Sequence, residues 1–449
     1  MLTYGYDYSF GVKIEKINDI LKNNLAGTDI TLEYQDKDKE TGSEITIKAQ
    51  MAPWQIIKGG SNTLLRFSLP ILQGTMTVEG AAISGHYDLA GVNAAVEVSL
   101  AWVGPGSGQQ LEGSGDKTEL VFAPENTTLP DNPGYISVVS INDPAGKLDT
   151  VGKGLFRVYL ADTLIKNKTK ISYIFAKIFP DNSSMAGWLK PFKWTYFYSS
   201  SKDQEALCFL CMLSDKEWPS ESAFESAAFS SSANAVILIS QQVFFTEVIL
   251  PAIKKSFPDG EFQVDVANEK CTLKNSGKFS VKTSKGSIAA SSFVLTESDS
   301  GNGLVTHASG SGPLKFLFGL ADLPGATYSW SCQTSNPLNF SNNKVTFLDD
   351  QNPTIDHNQT INWYDWVLLA VVGITTLPGL ISLIVDSINN FSDQVSKIGM
   401  GNINDEFEKS VGGSVVNLAS FVRWHTGNQE FSPANARLEG AFYVTGNVS

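Results

Sequence analysis

Alternation of apolar and polar residues with a period of two recurs along most of this chain, and only four segments replace it with helical spacing. A strand turns successive side chains to opposite faces, whereas steps of three and four keep residues on one face of a helix. Thr31–Tyr34 and Glu44–Lys48 alternate on either side of a charged turn, Asp36–Gly42, which is the pattern of a hairpin. Strands are expected next at Leu64–Leu72, Met76–Val78, Ala94–Val103, Glu119–Phe122, Ile136–Val139, Ile171–Ile178, Trp194–Tyr198 and Leu207–Leu213. The second half continues with Phe262–Val266, Lys278–Val281, Ser287–Leu295, Gly303–His307, Leu314–Phe318, Tyr328–Cys332, Lys344–Phe347 and Ala441–Val448.

The first helical segment is Ser9–Leu25, where Phe10, Ile14, Ile17, Leu21 and Leu25 repeat at steps of three and four. The second is Thr150–Asn167, with Phe156, Leu160 and Leu164 on one side. The third is Ser240–Phe257, with Phe245, Ile249, Ile253 and Phe257 four apart and a bend expected at Pro251. The fourth is a broken region, Tyr364–Phe421, interrupted by Pro378 and several glycines. Within it, Trp366–Val385 has the length of a membrane span. Gly373, Thr375, Thr376, Pro378, Gly379 and Ser382 favour a kinked, buried helix pair there instead.

The two halves share an order of helix, strand run, second helical region and closing strand, without evident sequence identity. The Ser-rich stretch Ser220–Asn234 follows Pro219 and marks a boundary. The expectation is an α+β chain of two modules, 1–225 and 226–449, the second carrying the broken helical region 364–421. Wrapping a strongly curved antiparallel sheet around each long amphipathic helix is one way to bury both helices. A sheet that does not close tightly leaves an apolar tube along the helix.

At 449 residues with 42% hydrophobic content, the chain is long enough for two or three cores. Its net charge of −13 and lack of Lys/Arg runs disfavour nucleic acid and weaken attraction to anionic membranes. A bound lipid would therefore sit in an apolar cavity. Cys208 and Cys211 form a CxxC inside the apolar run Ala206–Leu213. On a strand, residues three apart face opposite ways, which favours buried structural thiols over a redox pair or metal site. Cys271 and Cys332 complete the set. The segment Met1–Asp7 has no basic stretch and apolar core, so no secretory signal is visible, and cytoplasmic synthesis with release by another route is expected.

Catalytic patterns are absent. No GxSxG, phosphate loop or HExxH occurs, and the glycine clusters Gly104–Gly108 and Gly310–Gly312 do not complete GxGxxG. His86, His307, His357 and His425 are scattered. Asp36, Asp38 and Glu40 read as a solvated hairpin tip without the pattern of a calcium loop, and Asp349 and Asp350 lie in a polar loop. No enzyme, cofactor or metal is expected.

Several blocks carry a resemblance. Tyr4, Gly5 and Asp7 match a Tyr-Gly-Trp-Asp start, with Tyr6 in place of the Trp. Trp54–Ser61, with Gly59 and Gly60, matches a Trp/Phe-x-Ile-x-x-Gly-Gly-Ser block. Further blocks are Ile171–Ala176, Val248–Pro251, Ile361–Trp366 with Trp363, Tyr364, Asp365 and Trp366, and Ala441–Asn447. Together they run from end to end and resemble the forty-seven-kilodalton proteins of clostridial neurotoxin gene clusters, of the tubular lipid-binding superfamily. The resemblance implies two tubular modules, lipid or apolar-ligand binding, and a role supporting a bacterial toxin beside Orf-X-like proteins. Under it, Phe10, Ile14, Ile17, Leu21, Phe245, Ile249 and Ile253 face inward as candidate tunnel lining, although a solid core would give the same pattern. Three readings follow: a lipid-binding module, a scaffold in a toxin complex with a closed core, and a directly insecticidal, membrane-active protein.

Overall fold

The computed structural model describes all residues except 29, 39–41, 82, 106–107, 179–186, 202–203, 269, 284–285, 317–320, 361–403, 405–421 and 425–430. The chain opens with β1 (Tyr8–Lys13), which runs straight into α1 (Ile14–Leu25). Five strands follow: β2 (Ile30–Lys37), β3 (Glu44–Met51), β4 (Gln55–Ser61), β5 (Leu64–Glu79) and β6 (Gly85–Asp88). Next come β7 (Asn93–Ser99), β8 (Ala101–Val103), β9 (Gly113–Ser114), β10 (Glu119–Phe122) and β11 (Ile136–Asn142). Helices α2 (Thr150–Lys166) and α3 (Lys168–Ile171) precede β12 (Tyr173–Ile178), β13 (Lys193–Ser201) and β14 (Gln204–Met212).

The second half opens the same way. Strand β15 (Ala235–Ser240) runs straight into a helix built of α4 (Gln241–Phe244), a π turn (Phe245–Ile249) and α5 (Leu250–Ser256). Strands β16 (Phe262–Ala267), β17 (Lys270–Asn275), β18 (Phe279–Thr283), β19 (Gly286–Ala290) and β20 (Ser292–Glu297) follow. Then come β21 (Gly303–Phe316), β22 (Ala321–Ser341), β23 (Lys344–Phe347), β24 (Thr354–Thr360), β25 (Val422–Trp424), β26 (Phe431–Glu439) and β27 (Ala441–Val448).

The two halves meet in one antiparallel sheet, ordered β26-β27-β15-β1-β14-β13-β9. At its centre β1 pairs with β15, from Tyr8 opposite Ile239 to Val12 opposite Ala235. Outside β1 lies the hairpin β13–β14, and outside β15 the hairpin β26–β27. A pseudo-twofold through the β1–β15 pair therefore exchanges strand with strand, helix with helix and closing hairpin with closing hairpin. Lys13 and Ser240 are equivalent under it, and each is the residue preceding its helix.

Both faces of this sheet are apolar. Tyr8, Phe10, Val12, Phe209, Cys211, Ile237, Phe442 and Val444 point into the main core. Cys208, Leu210, Met212, Val236, Leu238 and Tyr443 point the other way, under Tyr6, Phe224, Ala228 and Phe229. The Ser-rich stretch expected as a boundary is thus a strap across the sheet. Gly11 makes room for it, since a Cβ there would lie 2.5 Å from the Phe224 ring. The strap is fastened by Lys13, which donates to the Ser230 carbonyl at 3.3 Å.

In the first half a second sheet runs β11-β7-β5-β3-β2. Helix α2 packs on both β11 and β2, the two ends of that order. The sheet therefore curls until its edges approach each other across α2. Polar side chains of the helix satisfy the exposed edges. Arg157 donates to the Val138 carbonyl at 3.1 Å, and Lys166 to the Gln35 carbonyl at 2.6 Å. The Asn167 amide accepts from Glu33 N–H at 3.3 Å and donates to its carbonyl at 2.7 Å. An open strand edge is a template for unwanted pairing, and this seam removes it. A small sheet, β25-β12-β10-β8, brings a strand of the second half back onto the first. The remaining strands of the second half form the path β16-β17-β20-β21-β22-β23, with β24 beside β22, and the hairpin β18–β19.

Several expectations need correction: Leu64–Leu72 and Met76–Val78 join in β5, Ala94–Val103 is divided between β7 and β8, and Ile171 ends α3 before β12 begins. The segment Ser9–Leu25 is not one helix, because β1 occupies Tyr8–Lys13. Phe10 to Ile14 is a helical step of four, but Tyr8, Phe10 and Val12 also alternate, and β1's pairing on both sides decides in favour of the strand. Ser287–Leu295 is divided between β19 and β20. Gly303–His307 and the described part of the Leu314–Phe318 expectation belong to one long run, β21 from Gly303 to Phe316, while residues 317 and 318 lie outside the described residues. The region 364–421 lies outside the described residues apart from Asn404. No described helix is long and apolar enough to cross a membrane.

Candidate functional site: the apolar interior

Helix α1 presents Ile14, Ile17, Ile20, Leu21 and Leu25 to the core while Glu15, Asp19, Lys22 and Asn23 face outward. It lies against β4, β1 and β14. Asn18, on the flank of the apolar stripe, clamps it in place. Its amide donates to the Ile56 carbonyl at 2.9 Å and accepts from Ile56 N–H at 2.8 Å, so the side chain copies a strand partner for β4.

The helix of the second half is buried along two adjacent rows, Phe244–Val248–Ala252 and Phe245–Ile249–Ile253. A single α-helical stripe drifts away from a fixed line, and the π turn corrects the drift by absorbing an extra residue. Leu250 N–H reaches the Phe245 carbonyl, five residues back. Pro251 gives the physical reason: it has no N–H, and its ring crowds the carbonyl four residues earlier. The bend expected at Pro251 is therefore a widened turn just before it.

The structure buries all seven candidate lining residues and places them in one continuous core. Phe10 reaches that core from a strand and packs edge-on to Phe431 with ring centroids 6.3 Å apart. Ile14, Ile17 and Leu21 come from α1, and Phe245, Ile249 and Ile253 from the second helix. Rings fill much of the surrounding interior. Phe244 stacks on Phe442 at 4.9 Å, and Phe257, Phe262, Phe279 and Phe293 form a mutual cluster. In the first half Trp54 meets Phe122 at 4.8 Å, and Trp102 meets Trp194 at 6.2 Å. The indole N–H groups of Trp54, Trp102 and Trp194 are buried without an acceptor. Periodicity reasoning passed over these three, because an unpaired donor is a property of the assembled interior.

The described motif residues Tyr4, Gly5, Asp7, Gly59 and Gly60 shape the local backbone. Tyr4 and Gly5 both have positive φ, and Tyr6 N–H closes the turn on the Thr3 carbonyl at 3.0 Å. Asp7 accepts from Leu213 N–H at 2.8 Å and so holds the chain just past the end of β14. Gly59 has φ +107°, and a Cβ there would meet the Arg66 guanidinium at 2.4 Å. Gly60 lies against the Leu64 carbonyl and the Tyr198 ring. Trp363, Tyr364, Asp365 and Trp366 lie outside the described residues.

Among the described residues the histidines lie apart from one another. His86 bonds Thr77, while His307 and His357 stand on strands either side of β22, opposite Gln333 and Trp330. His425 is outside the described residues. Tyr34 and Tyr159 donate to Asp36 and Asp38, which ties the hairpin tip to α2. Among the described residues no group of three or more His, Cys, Asp or Glu could hold a metal ion. All four cysteines are buried and free, with Cys211 in the main core and Cys208 under the strap. Burial raises every thiol, that of Cys271 to about 11 and that of Cys332 to about 12.

Residues 3–287 match the family model described as OrfX-like, Protein OrfX2/OrfX3/P47. The chain belongs to the OrfX-like family. Protein P47 of Clostridium botulinum (strain Kyoto / Type A2) is 27% identical over 253 residues, 56% of this chain and 56% of that protein. Protein OrfX3 of the same strain is 22% identical over 287 residues, 58% of this chain and 57% of that one. The matched stretch thus spans a little over half the length of these relatives. Two solved structures share the fold throughout. P47 from Clostridium botulinum A2 superposes with a TM-score of 0.73 at 21% identity, covering 100% of this chain and 98% of that one. P47 of Clostridium botulinum E1 gives 0.72 at 20% identity, covering 99% and 100%. The resemblance read from the motifs is therefore a family relationship over residues 3–287, and along the whole chain the fold is the β-rich antiparallel fold of P47.

Proposed function

We propose that this protein is a non-catalytic binder of lipid or another apolar ligand that supports a bacterial toxin, built as two tubular modules, 1–225 and 226–449. One observation carries the reading: the pseudo-twofold sheet feeds two long helices, each of which turns its apolar face into an interior bounded by antiparallel strands. Relatives named P47 and OrfX3 from Clostridium botulinum support the toxin-cluster setting. Asn18 on α1 is committed to the Ile56 backbone, and Gln241 on the second helix to Cys271 N–H and the Glu297 carboxylate, which suits binding and positioning better than bond chemistry.

A second reading, a scaffold with a closed core that docks toxin or Orf-X-like partners, is favoured by the ring-on-ring packing of Phe244, on the second helix, against Phe442 and Phe347. Native mass spectrometry of the full chain, purified without detergent from its own host, separates the two. A retained lipid mass supports the first reading. Bare protein that also fails to take up a fluorescent fatty acid removes it and leaves the scaffold.

A further inference from the structure

Helix α2 is apolar on both sides. Phe156, Leu160 and Leu164 face the core, with Gly152 and Thr163 buried beside them. The opposite face of such a helix ordinarily carries its charges. Here, at steps of three and four, it carries Val151, Gly154, Leu155, Val158, Ala161 and Ile165. Val151 and Val158 are 49% and 62% exposed, and a Cβ added at Gly154 would meet nothing within 4 Å. Asp162 is the one charge in this row. The other charges lie at its edges. Arg157 and Lys166 flank the row on opposite sides, where they donate to the Val138 and Gln35 carbonyls. Lys170 donates to the Thr31 carbonyl. These partners are neutral oxygens, which leave the charge of each cation uncancelled. Lys153 and Lys168 pair with Asp143 and Glu125 at 3.7 and 3.6 Å. Helices α2 and α3 thus carry five cations and one acid in a chain whose net charge is −13. The nearby acids of the hairpin tip, Asp36 and Asp38, are engaged by Tyr34 and Tyr159.

We propose that the outward face of α2 docks on an anionic lipid surface, with the helix lying flat, its aliphatic row immersed and its cations among the headgroups. Size selects that occupant over a protein. At 1.5 Å per residue and a width near 10 Å, the row covers about 250 Å², well short of the roughly 800 Å² per partner of a standard protein interface. The row also lacks the aromatic anchor around which such interfaces are built. A basic helix with an aliphatic face needs neither to partition into the headgroup boundary of a bilayer. Charge points the same way, because cations close to the surface are attracted to anionic headgroups. The net negative charge of the chain opposes approach from a distance, but salt screens charges more than about 10 Å away, so the local patch decides at contact. The inference goes beyond the interior-ligand reading and holds whatever fills the core.

The test floats the full chain with vesicles of phosphatidylcholine and with vesicles of equal parts phosphatidylcholine and phosphatidylserine. Binding should be about tenfold stronger on the mixed vesicles and should weaken as salt is raised. Val151→Ser combined with Val158→Ser removes the two most exposed side chains of the row and should weaken binding about tenfold. Gly154→Leu extends the row into open space and should strengthen binding about fivefold. Lys168→Gln combined with Lys170→Gln should weaken it about tenfold. A polarity-sensitive fluorophore attached at Val158→Cys, where the four native thiols are buried, should shift to the blue on the mixed vesicles. Bare vesicles of both kinds, equal binding to both kinds, or binding that the valine substitutions leave unchanged overturns the proposal. An unshifted label on bound protein overturns it too, by placing the contact on another face. A dimer in sedimentation that the valine substitutions dissolve, with vesicles left bare, gives the face to a second copy and also overturns it. A lipid retained in the interior is read separately by native mass spectrometry, so failure here leaves that reading standing.

Discussion

The two strand-to-helix junctions occupy equivalent places on either side of the central strand pair, yet they fasten their helices in different ways. At β1–α1, Lys13 makes no cap and reaches instead to the strap, where its ammonium lies 5.7 Å from the Phe229 ring. Helix α1 has one buried stripe, a charged outer face and a side-chain clamp on β4. At β15–α4, Ser240 caps the helix by accepting from Val243 N–H at 3.2 Å. Gln241 fixes its first turn, accepting from Cys271 N–H at 2.5 Å and donating to Glu297. Two rows are buried there, and both pass through the π turn. A shared backbone plan therefore does not require a shared helix face. The plan is set by strand pairing at the centre, and each half solves its own packing.

The sharpest way to break the comparison is to ask whether the halves open together. Cys208 and Cys211 lie in the first half and Cys271 and Cys332 in the second, all buried with raised thiol pKa values. Near pH 8 these thiols remain protonated in the folded chain, and reaction requires opening. Pulse labelling with a maleimide should modify all four at one rate. Earlier labelling of Cys271 and Cys332 would show that the shared sheet does not couple the halves.

Core truncations come next. Phe244→Ala should cost about 3–5 kcal/mol and Leu21→Ala about 2–5 kcal/mol. Both should lower the same calorimetric transition, because their helices share one core. Two endotherms, each moved by only one variant, would contradict that coupling.

Gly11→Val drives a side chain into Phe224 and should cost about 1–3 kcal/mol in urea unfolding. The equivalent position, Leu238, already carries a large buried side chain, so Leu238→Val should cost less. Asn18→Ala leaves both polar groups of Ile56 without their partner and should cost about 1–3 kcal/mol. Asn18→Asp keeps only the acceptor and should recover part of it. Ser240→Ala removes the one side-chain cap of the pair and should cost about 1 kcal/mol. A Lys13→Ala variant with the same loss would show that the strap contacts stabilise their junction as much as a cap does.

Much of the fold was readable from the residues. The closing strand Ala441–Val448 matches β27 from first residue to last. The CxxC lies on β14 with its sulfurs on opposite faces, as period two requires. The apolar faces of both long helices are buried where spacing placed them. Other features were not readable. Ala235–Ser240 carries no polar alternation because both its faces are covered, so β15 gave no period-two signal. Phe10 could serve a strand or a helix equally, and only the neighbours Phe209 and Ile237 decide. Of the candidate site, the inward-facing residues were readable, but the unpaired indoles were not, since a sequence does not say which donors lack partners.

By itself the sequence determined the alternation of strands, the two amphipathic helices, the lack of a catalytic pattern and the family. Those follow from local spacing and short motifs, which act over a few residues. Only the tertiary structure decided that β1 and β15 pair, that the Ser-rich stretch is a strap, and that α2 closes a curled sheet. Each of these joins residues far apart in the chain, and the hydrogen bonds and buried surface that select them exist only once the halves have met.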